Sequence, residues 1–217
     1  MWGAFRSKER NSSGYNTQRQ RSMSTIGLIL AAGSSSRMGR PKQLLDWGGR
    51  PLVRVVAEHA LAAALDQVLV VTGAEQYAVE QALADLPVRF IHNPHYAEGQ
   101  SGSLRVGVAA LPTDAEQVLV LLGDQPFVTP AIINAILAAG QRGAAIVAPH
   151  YAGVRGNPVL FARPLFAELL AIRGDQGARS ILAADPARIT MVTFDDPRPQ
   201  IDIDTPEIYA ELAPPRE

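Results

Sequence analysis

A short apolar run that passes directly into a glycine- and serine-rich segment constrains this chain more than any other feature. Residues 26–30 read IGLIL, which is typical of a strand buried on both faces in a parallel sheet. The segment that follows, residues 30–42, reads LAAGSSSRMGRPK. Because ligands bind at the carboxyl ends of the strands in an open α/β sheet, this segment is expected to lie at a ligand site.

The residue types in this segment suit a bound triphosphate. Gly33 and Gly39 allow the backbone to approach an anion closely, and Arg37 and Lys42 add positive charge and directed donors. Five residues separate the two glycines, whereas a Walker A loop has four, and Ser35 stands where a dinucleotide fingerprint has its second glycine. The alternative interpretation is a flexible surface loop, which the coincidence of strand, glycines and cations disfavours.

Candidate carboxylates occur in two later segments of the chain. Asp124 lies in a Gly-Asp-Gln-Pro segment directly after residues 118–122, a predicted buried strand, where it could bind Mg²⁺ through hard oxygen ligands or simply form a turn. Asp202 and Asp204 alternate within Ile-Asp-Ile-Asp-Thr-Pro, and strand geometry would put both on one face. Asp204 could instead be the N-cap of a helix that begins with Pro206.

Three polar, glycine-containing segments complete the candidate site. Residues 92–104 end at a predicted helix N-terminus, which suits a polar ligand, although an ordinary capping loop fits nearly as well. His92 and His95 have no third metal ligand at suitable spacing and are expected to face solvent. The segments at 155–158 and 174–179 each carry an arginine that could grip a phosphate or remain a solvated charge.

Alternating strand and helix patterns predict an α/β fold with a mostly parallel sheet. The predicted strands are 26–30, 68–72, 88–91, 118–122, 145–148, 158–161 and 190–194. The predicted helices are 51–65, 75–86, 101–111, 130–140, 165–172 and 178–184, with Thr129 as the N-cap of the fourth. We expect one domain over residues 25–212, a disordered extension over 1–24 and a frayed tail over 213–217.

Composition excludes several classes of protein. The 217 residues carry a formal net charge of −1 and no cysteine, which argues against disulfides, thiol catalysis and a nucleic-acid surface, and fits a reducing cytoplasm. No apolar run approaches the roughly 20 residues of a membrane span. The arginine-rich residues 1–24, which we expect to be a disordered extension, could alternatively be a transit peptide, and translation could alternatively start at Met23.

The pattern Leu-Ala-Ala-Gly-x-Ser-x-Arg-Met-Gly-x-Pro-Lys resembles the signature of the MobA-like nucleotidyltransferases, and within them it is most similar to molybdenum cofactor cytidylyltransferases. The resemblance extends through several motifs over residues 25–212. It implies a three-layer α-β-α sandwich with a Rossmann-like sheet, of the nucleotide-diphospho-sugar transferase type. It further implies transfer of CMP from CTP to the phosphate of molybdenum-molybdopterin with Mg²⁺, releasing pyrophosphate, and transient contact with a molybdoenzyme or its chaperone.

The resemblance also assigns roles to residues. The catalytic groups would be Arg37, Lys42 and Asp124, and the metal ligands Asp124, Asp204 and Asp202. The nucleotide would contact Leu30, Ala31, Ala32, Gly33, Ser34, Arg37, Lys42, Asn93, Gly99, Ser103 and Asp124. The acceptor would contact Arg155, Gly156, Asn157, Pro158, Asp175, Gly177 and Arg179, although Asn157 stands where the family commonly has His.

Several functions remain open at this point. Guanylyl enzymes of the family tend to have Gly where this chain has Ala32, and that methyl group could narrow the base pocket, but one methyl gives only about 1–3 kcal/mol of discrimination. The alternatives are a guanylyltransferase on the same cofactor, a sugar-phosphate nucleotidyltransferase, a hydrolase, and a cofactor-binding maturation chaperone without turnover.

Overall fold

The fold is a central eight-stranded sheet with helices on both faces. The computed structural model describes residues 23–35 and 37–216, so the expected extension over 1–24 falls almost wholly outside the described residues. The strands are β1 (Thr25–Leu30), β2 (Gln67–Thr72), β3 (Arg89–His92), β4 (Gln117–Leu122), β5 (Ile146–Tyr151), β6 (Val154–Arg155), β7 (Val159–Ala162) and β8 (Ile189–Phe194). Their order is β3-β2-β1-β4-β7-β5-β6, and β8 pairs with β5.

Most neighbouring strands run parallel, as the alternating pattern predicts. β1 pairs in parallel with both β2 and β4, and β2 with β3 and β5 with β8 do the same. The exceptions are β7, which is antiparallel to β4 and β5, and the short β6, which sequence patterning does not predict. A parallel crossover connection needs a dozen or more residues. The segment from β5 to β7, which contains β6, is too short for such a connection, so β7 runs antiparallel to β5.

The helices lie between the strands in sequence and cover the two faces of the sheet. They are α1 (Leu52–Leu61), α2 (Gln76–Ala82), α3 (Gln100–Ala109), α4 (Pro130–Gly140), α5 (Phe166–Ala171), α6 (Arg179–Ala184) and α7 (Pro206–Leu212). Thr129 caps α4 as predicted, accepting a hydrogen bond from the Ile132 N–H. α1 and α2 end earlier than the predicted 51–65 and 75–86, because the chain must turn back toward the next strand. Within the described residues, every helix falls short of the length and apolar character of a membrane span.

Side chains alternate between the two faces of the sheet and build two separate cores. Ile29 of β1 packs with residues of α1, α2 and α4, whereas Leu28 and Leu30 pack with residues of α3, α5 and α6. A third, smaller cluster contains Met38, Trp47 and Ile203, and α7 packs against it. The sheet is therefore covered on both sides, and the third cluster joins the segment after β1 to the carboxyl-terminal part of the chain.

Burial of the strand side chains predicts where substitutions are costly. Leu69 of β2 is fully buried, so Leu69→Ala is expected to lower the free energy of unfolding by about 2–5 kcal/mol. Leu170 on α5 is 42% exposed, and Leu170→Ala is expected to cost under about 1 kcal/mol. Urea unfolding of the two variants measures the difference, and equal losses would contradict the assigned core.

Candidate functional site

The glycine-rich segment and the Gly-Asp-Gln-Pro turn leave the sheet side by side. Leu30 at the end of β1 is in register with Leu122 at the end of β4, and the Gly123 N–H donates to the Leu30 carbonyl oxygen. Beyond this point the Lys42 ammonium forms an ion pair with the Asp124 carboxylate, and both side chains are largely buried. The two segments that the sequence singles out thus meet at this ion pair.

A buried glutamine that sequence analysis missed holds the glycine-rich segment in shape. Gln43 Nε2 donates to the Gly33 carbonyl oxygen at 2.7 Å and to that of Ala31 at 3.3 Å. Its Oε1 accepts from the Ser35 hydroxyl at 3.1 Å, and the same hydroxyl oxygen accepts from the Lys42 N–H at 3.0 Å. Because its amide bonds two backbone carbonyl groups after β1 and the Ser35 hydroxyl, which in turn accepts from the Lys42 N–H, Gln43 fixes the loop from which Lys42 projects.

A second glutamine links the Asp124 turn to the segment that carries Asp202. Gln125 Nε2 donates to Asp202 Oδ1 at 2.8 Å, and the Ile203 N–H donates to the Asp124 carbonyl oxygen at 2.9 Å. Burial raises the pKa of Asp202 to about 6, and repulsion from Asp124 adds to the shift, while the hydrogen bond from Gln125 and the charge of Lys42 oppose it. The charge of Asp124 therefore disfavours charge on Asp202.

Asp204 lies near the same charged residues, but it is neither part of a strand nor the N-cap of a helix, the two positions that the sequence suggested. Residues 201–204 form no strand, and the N-cap of α7 is Thr205, whose hydroxyl accepts from the Ile208 N–H, so both the strand and the N-cap interpretation of Asp204 are wrong. Asp204 instead accepts from Arg37 Nη1 at 2.7 Å. The burial of Met38 and Ile203 in one apolar cluster brings these two charged neighbours together.

The donor set fits a hard divalent cation. Asp124 and Asp202 supply two interacting carboxylates, the number Mg²⁺ usually takes from a protein while keeping waters and phosphate oxygens as its other ligands. Gln125 Oε1 is buried beside them without a hydrogen-bond partner. Across residues 23–35 and 37–216, no three His, Asp or Glu side chains converge as a metal cage, so a cation here would need oxygens from its substrates.

A cleft of about 270 Å³ opens from Asp202 and Gln125 toward the late glycine-containing segments. Its floor is apolar and is formed by Leu30, Leu104, Val120, Leu122, Val159, Phe161 and Leu182. Its polar wall contains five of the predicted acceptor residues: Arg155, Gly156, Asn157, Gly177 and Arg179. Pro158 and Asp175, also predicted there, do not line it, since Pro158 is buried and Asp175 bonds the start of α3.

The buried Tyr151 shapes the wall of this cleft. Its hydroxyl donates to the Asn157 carbonyl oxygen at 2.8 Å, and a Cβ at Gly156 would lie 2.8 Å from its ring. Glycine is therefore required beside the ring. Sequence analysis missed Tyr151, because its role depends on a contact that strand patterning does not encode.

The residues predicted to contact the nucleotide divide into exposed and buried sets. Gly33 and Ser34 are exposed above the sheet edge, whereas Leu30, Ala31 and Ala32 are buried. Ala32 packs in the core beneath α3, so its methyl group does not project into the described cleft.

Asn93 and Ser103 are hydrogen-bonded to each other within their segment, and neither caps the start of α3. Asn93 Nδ2 donates to the Ser103 hydroxyl oxygen at 3.0 Å, and Asn93 Oδ1 accepts from the His95 N–H. Both side chains are buried, so they shape the loop through these bonds. The exposed His92 and His95 face solvent, as predicted.

The raised pKa of Asp202 predicts a pH-dependent stability. A carboxyl whose pKa is higher in the folded state binds its proton more tightly there, so its contribution favours folding below the unfolded pKa of about 3.9 and is lost as the pH rises through about 6. Relative to wild type, Asp202→Asn is expected to gain about 1–3 kcal/mol of unfolding free energy between pH 4 and pH 7, since solvent screening reduces the full effect.

Urea unfolding in the presence of a chelator measures this gain across the pH range. The variant Asp114→Asn removes an exposed carboxylate and controls for the change in net charge. A stability difference between Asp202→Asn and wild type that stays constant with pH would contradict the burial of this group.

Comparison with characterised proteins gives consistent matches over most of the chain. Nicotine blue oxidoreductase of Paenarthrobacter nicotinovorans is 34% identical over 193 residues, covering 83% of this chain and 92% of that protein. Molybdenum cofactor cytidylyltransferase of Escherichia coli strain K12 is 30% identical over 190 residues, covering 86% and 95%. These two relatives are named for different reactions.

Solved structures agree with the fold. Rv0371c from Mycobacterium tuberculosis H37Rv superposes with a TM-score of 0.80 at 31% identity, covering 88% of this chain and 98% of that one. A complex of the same protein with manganese superposes with a TM-score of 0.77.

Residues 27–189 match the family of MobA-like NTP transferase domains, and this range includes the glycine-rich segment and the Asp124 turn. Together with the relatives of similar length, this match shows that the chain belongs to the MobA-like nucleotidyltransferases and is a nucleotidyltransferase.

Proposed function

We propose that the protein transfers CMP from CTP to the terminal phosphate of molybdenum-molybdopterin, giving molybdopterin cytosine dinucleotide and pyrophosphate. The observation that carries this proposal is the ion pair of Lys42 with Asp124, whose chain neighbour Gln125 lines the cleft together with Asp202. A triphosphate on the glycine-rich segment and an acceptor in the cleft would approach each other at this group of charges. The cytoplasmic setting and a transient molybdoenzyme or chaperone partner belong to the same proposal.

The chemistry required of the chain is positioning and charge compensation. An oxygen of the acceptor phosphate attacks the α-phosphorus of CTP. The bond between the α-phosphorus and the oxygen that bridges it to the β-phosphate breaks, and pyrophosphate leaves with that oxygen. Because the acceptor phosphate is already an anion at neutral pH, no strong general base is needed. Lys42, Arg37 and the backbone N–H groups near Gly33 would offset the negative charge that accumulates in the transition state.

Mg²⁺ is the proposed cofactor, held by Asp124 and Asp202. When bound, the ion would polarise phosphate oxygens and reduce their mutual repulsion. Two observations support it: the interacting carboxylates with the unpaired Gln125 Oε1 beside them, and the manganese complex of a similar structure. Asp204, which pairs with Arg37, would set the position of that guanidinium and contact the ion or its waters.

The cleft supports a planar acceptor with a phosphate. Its floor of aliphatic side chains and Phe161 would take a flat ring system, while Arg155 and Arg179 on the wall would bind the phosphate in bidentate fashion. Asn157 would offer a neutral amide to the acceptor. A maturation chaperone would use the same cleft without turnover, but the pair of carboxylates beside it favours a catalytic role.

The choice between CTP and GTP is the most specific part of the proposal. Because Ala32 is buried in the core, its methyl group would act on the base only through the backbone it supports, next to Gly73. CTP is proposed because this motif matches the cytidylyl enzymes, and GTP is the alternative that the next experiment separates.

We expect pyrophosphate release with CTP and molybdenum-molybdopterin to exceed release with the other nucleotides by about tenfold or more, since one base contact contributes about 1–3 kcal/mol. The assay incubates the protein with each of the four labelled NTPs and Mg²⁺, together with the cofactor or with sugar phosphates. The labelled dinucleotide is then identified. A guanine dinucleotide or a nucleotide sugar as the main product would replace the proposal with the corresponding alternative.

Replacing the carboxylate that pairs with Lys42 tests the role of Asp124. Asp124→Asn is expected to lower kcat for pyrophosphate release by about 10²-fold or more while the fold persists, because the amide keeps the shape but loses the charge. Asp114→Asn, at an exposed position, is the matched control and is expected to retain wild-type kcat. Unchanged kcat in Asp124→Asn would refute a catalytic role for this residue.

A further inference from the structure

The loop at residues 174–179 is tied to the start of α3 by two hydrogen bonds that run in opposite directions. The Asp175 carboxylate accepts a hydrogen bond from the Gln100 backbone N–H at 3.1 Å, across 75 residues of sequence. In return, the Gly177 N–H donates to the Ser101 hydroxyl oxygen at 3.1 Å. Each segment therefore satisfies a backbone group of the other.

Asp175 supplies the cap that α3 lacks. The residue at the N-cap position is Gly99, which has no side chain with which to accept from the first N–H groups of the helix. A remote carboxylate takes over this task, and the backbone leaves room for it. Gly99 has φ of +102°, and a Cβ at this position would lie only 2.3 Å from Asp175 Oδ1.

The capped segment borders the glycine-rich segment, not only the acceptor cleft. Gly73, at the end of β2, lies between them: a Cβ there would be 2.6 Å from the Ala32 carbonyl oxygen and 2.7 Å from Tyr96 Cβ. The Asn93 N–H donates to the Thr72 carbonyl oxygen beside it. Residues 93–103 and 31–35 are thus neighbours at one edge of the sheet.

We propose that Asp175 is a positioning residue for the nucleotide and not a ligand of the acceptor. It holds the turn at Gly99 and the first residues of α3 in the geometry that the nucleotide meets. A loop whose Gly177 and Arg179 line the cleft wall thereby also supports the nucleotide site. The inference rests on the proposed nucleotidyl transfer in one respect: it takes Asn93, Gly99 and Ser103 as nucleotide contacts, the role that the family resemblance implies for them.

Nucleotide binding without any acceptor distinguishes the two roles. Asp175→Ala is expected to weaken binding of Mg-CTP by about fivefold in calorimetric titration, the size of effect that losing one helix cap produces. Simple electrostatics predicts the opposite sign, because removing a negative charge near a triphosphate favours binding. Asp175→Asn keeps an acceptor oxygen for the Gln100 N–H and is expected to bind at least as tightly as wild type.

Further variants and a kinetic measurement guard against a purely structural effect. Ser101→Ala breaks the second hydrogen bond from the α3 side and is expected to weaken nucleotide binding in the same direction, whereas the exposed-site control Asp114→Ala is not. In the complete reaction, Asp175→Ala is expected to raise KM for the nucleotide more than KM for the acceptor. Circular dichroism of each variant verifies the fold.

The outcomes separate this inference from the proposed function. If wild-type protein binds CTP and the Asp175→Ala variant binds it equally well or more tightly, the positioning role alone is overturned. An Asp175→Ala variant that raises only the KM for the acceptor overturns it as well. Wild-type protein that binds none of the four Mg-NTPs overturns the proposed function, and the inference with it.

Discussion

The parallel pairing of β1 with β4 is the constraint on which the candidate site depends. Their register sets Leu30 beside Leu122, so the segments that follow leave the same edge of the sheet only one strand apart. The Lys42–Asp124 ion pair spans this gap. A change of pairing partner or of register would separate the cation of one segment from the carboxylate of the other, whatever the residues in each loop.

Apolar burial and amide side chains then convert this proximity into defined geometry. The third core cluster buries Met38 and Ile203 together, which brings their charged neighbours Arg37 and Asp204 into contact. Gln43 and Gln125 connect the loops to one another through hydrogen bonds that leave their own amides largely buried. Buried polar links of this kind rigidify a site because breaking one leaves an unpaired group in a low-dielectric surrounding.

The proposed nucleotide side and the proposed acceptor side are not independent parts of this molecule. Asp202 belongs both to the group of carboxylates and to the lining of the cleft, and the ties between residues 174–179 and α3 join the two sides a second time. For a reaction that must align two anionic substrates, such shared walls fix the distance between them. This is the contribution that a protein makes when positioning dominates the barrier.

The sequence by itself determined the sheet, most of its strands and the two motifs at its edge, because buried strands and glycine-rich turns depend on local patterns of side chains. It could not determine that β7 runs antiparallel, that residues 201–204 lie outside the sheet, or that Thr205 caps α7 while Asp204 pairs with Arg37. It also missed Gln43, Gln125 and Tyr151, and the hydrogen bond from the Gln100 N–H to Asp175. Each of these depends on contacts between residues distant in the chain, which exist only once the sheet and its clusters have brought those segments together.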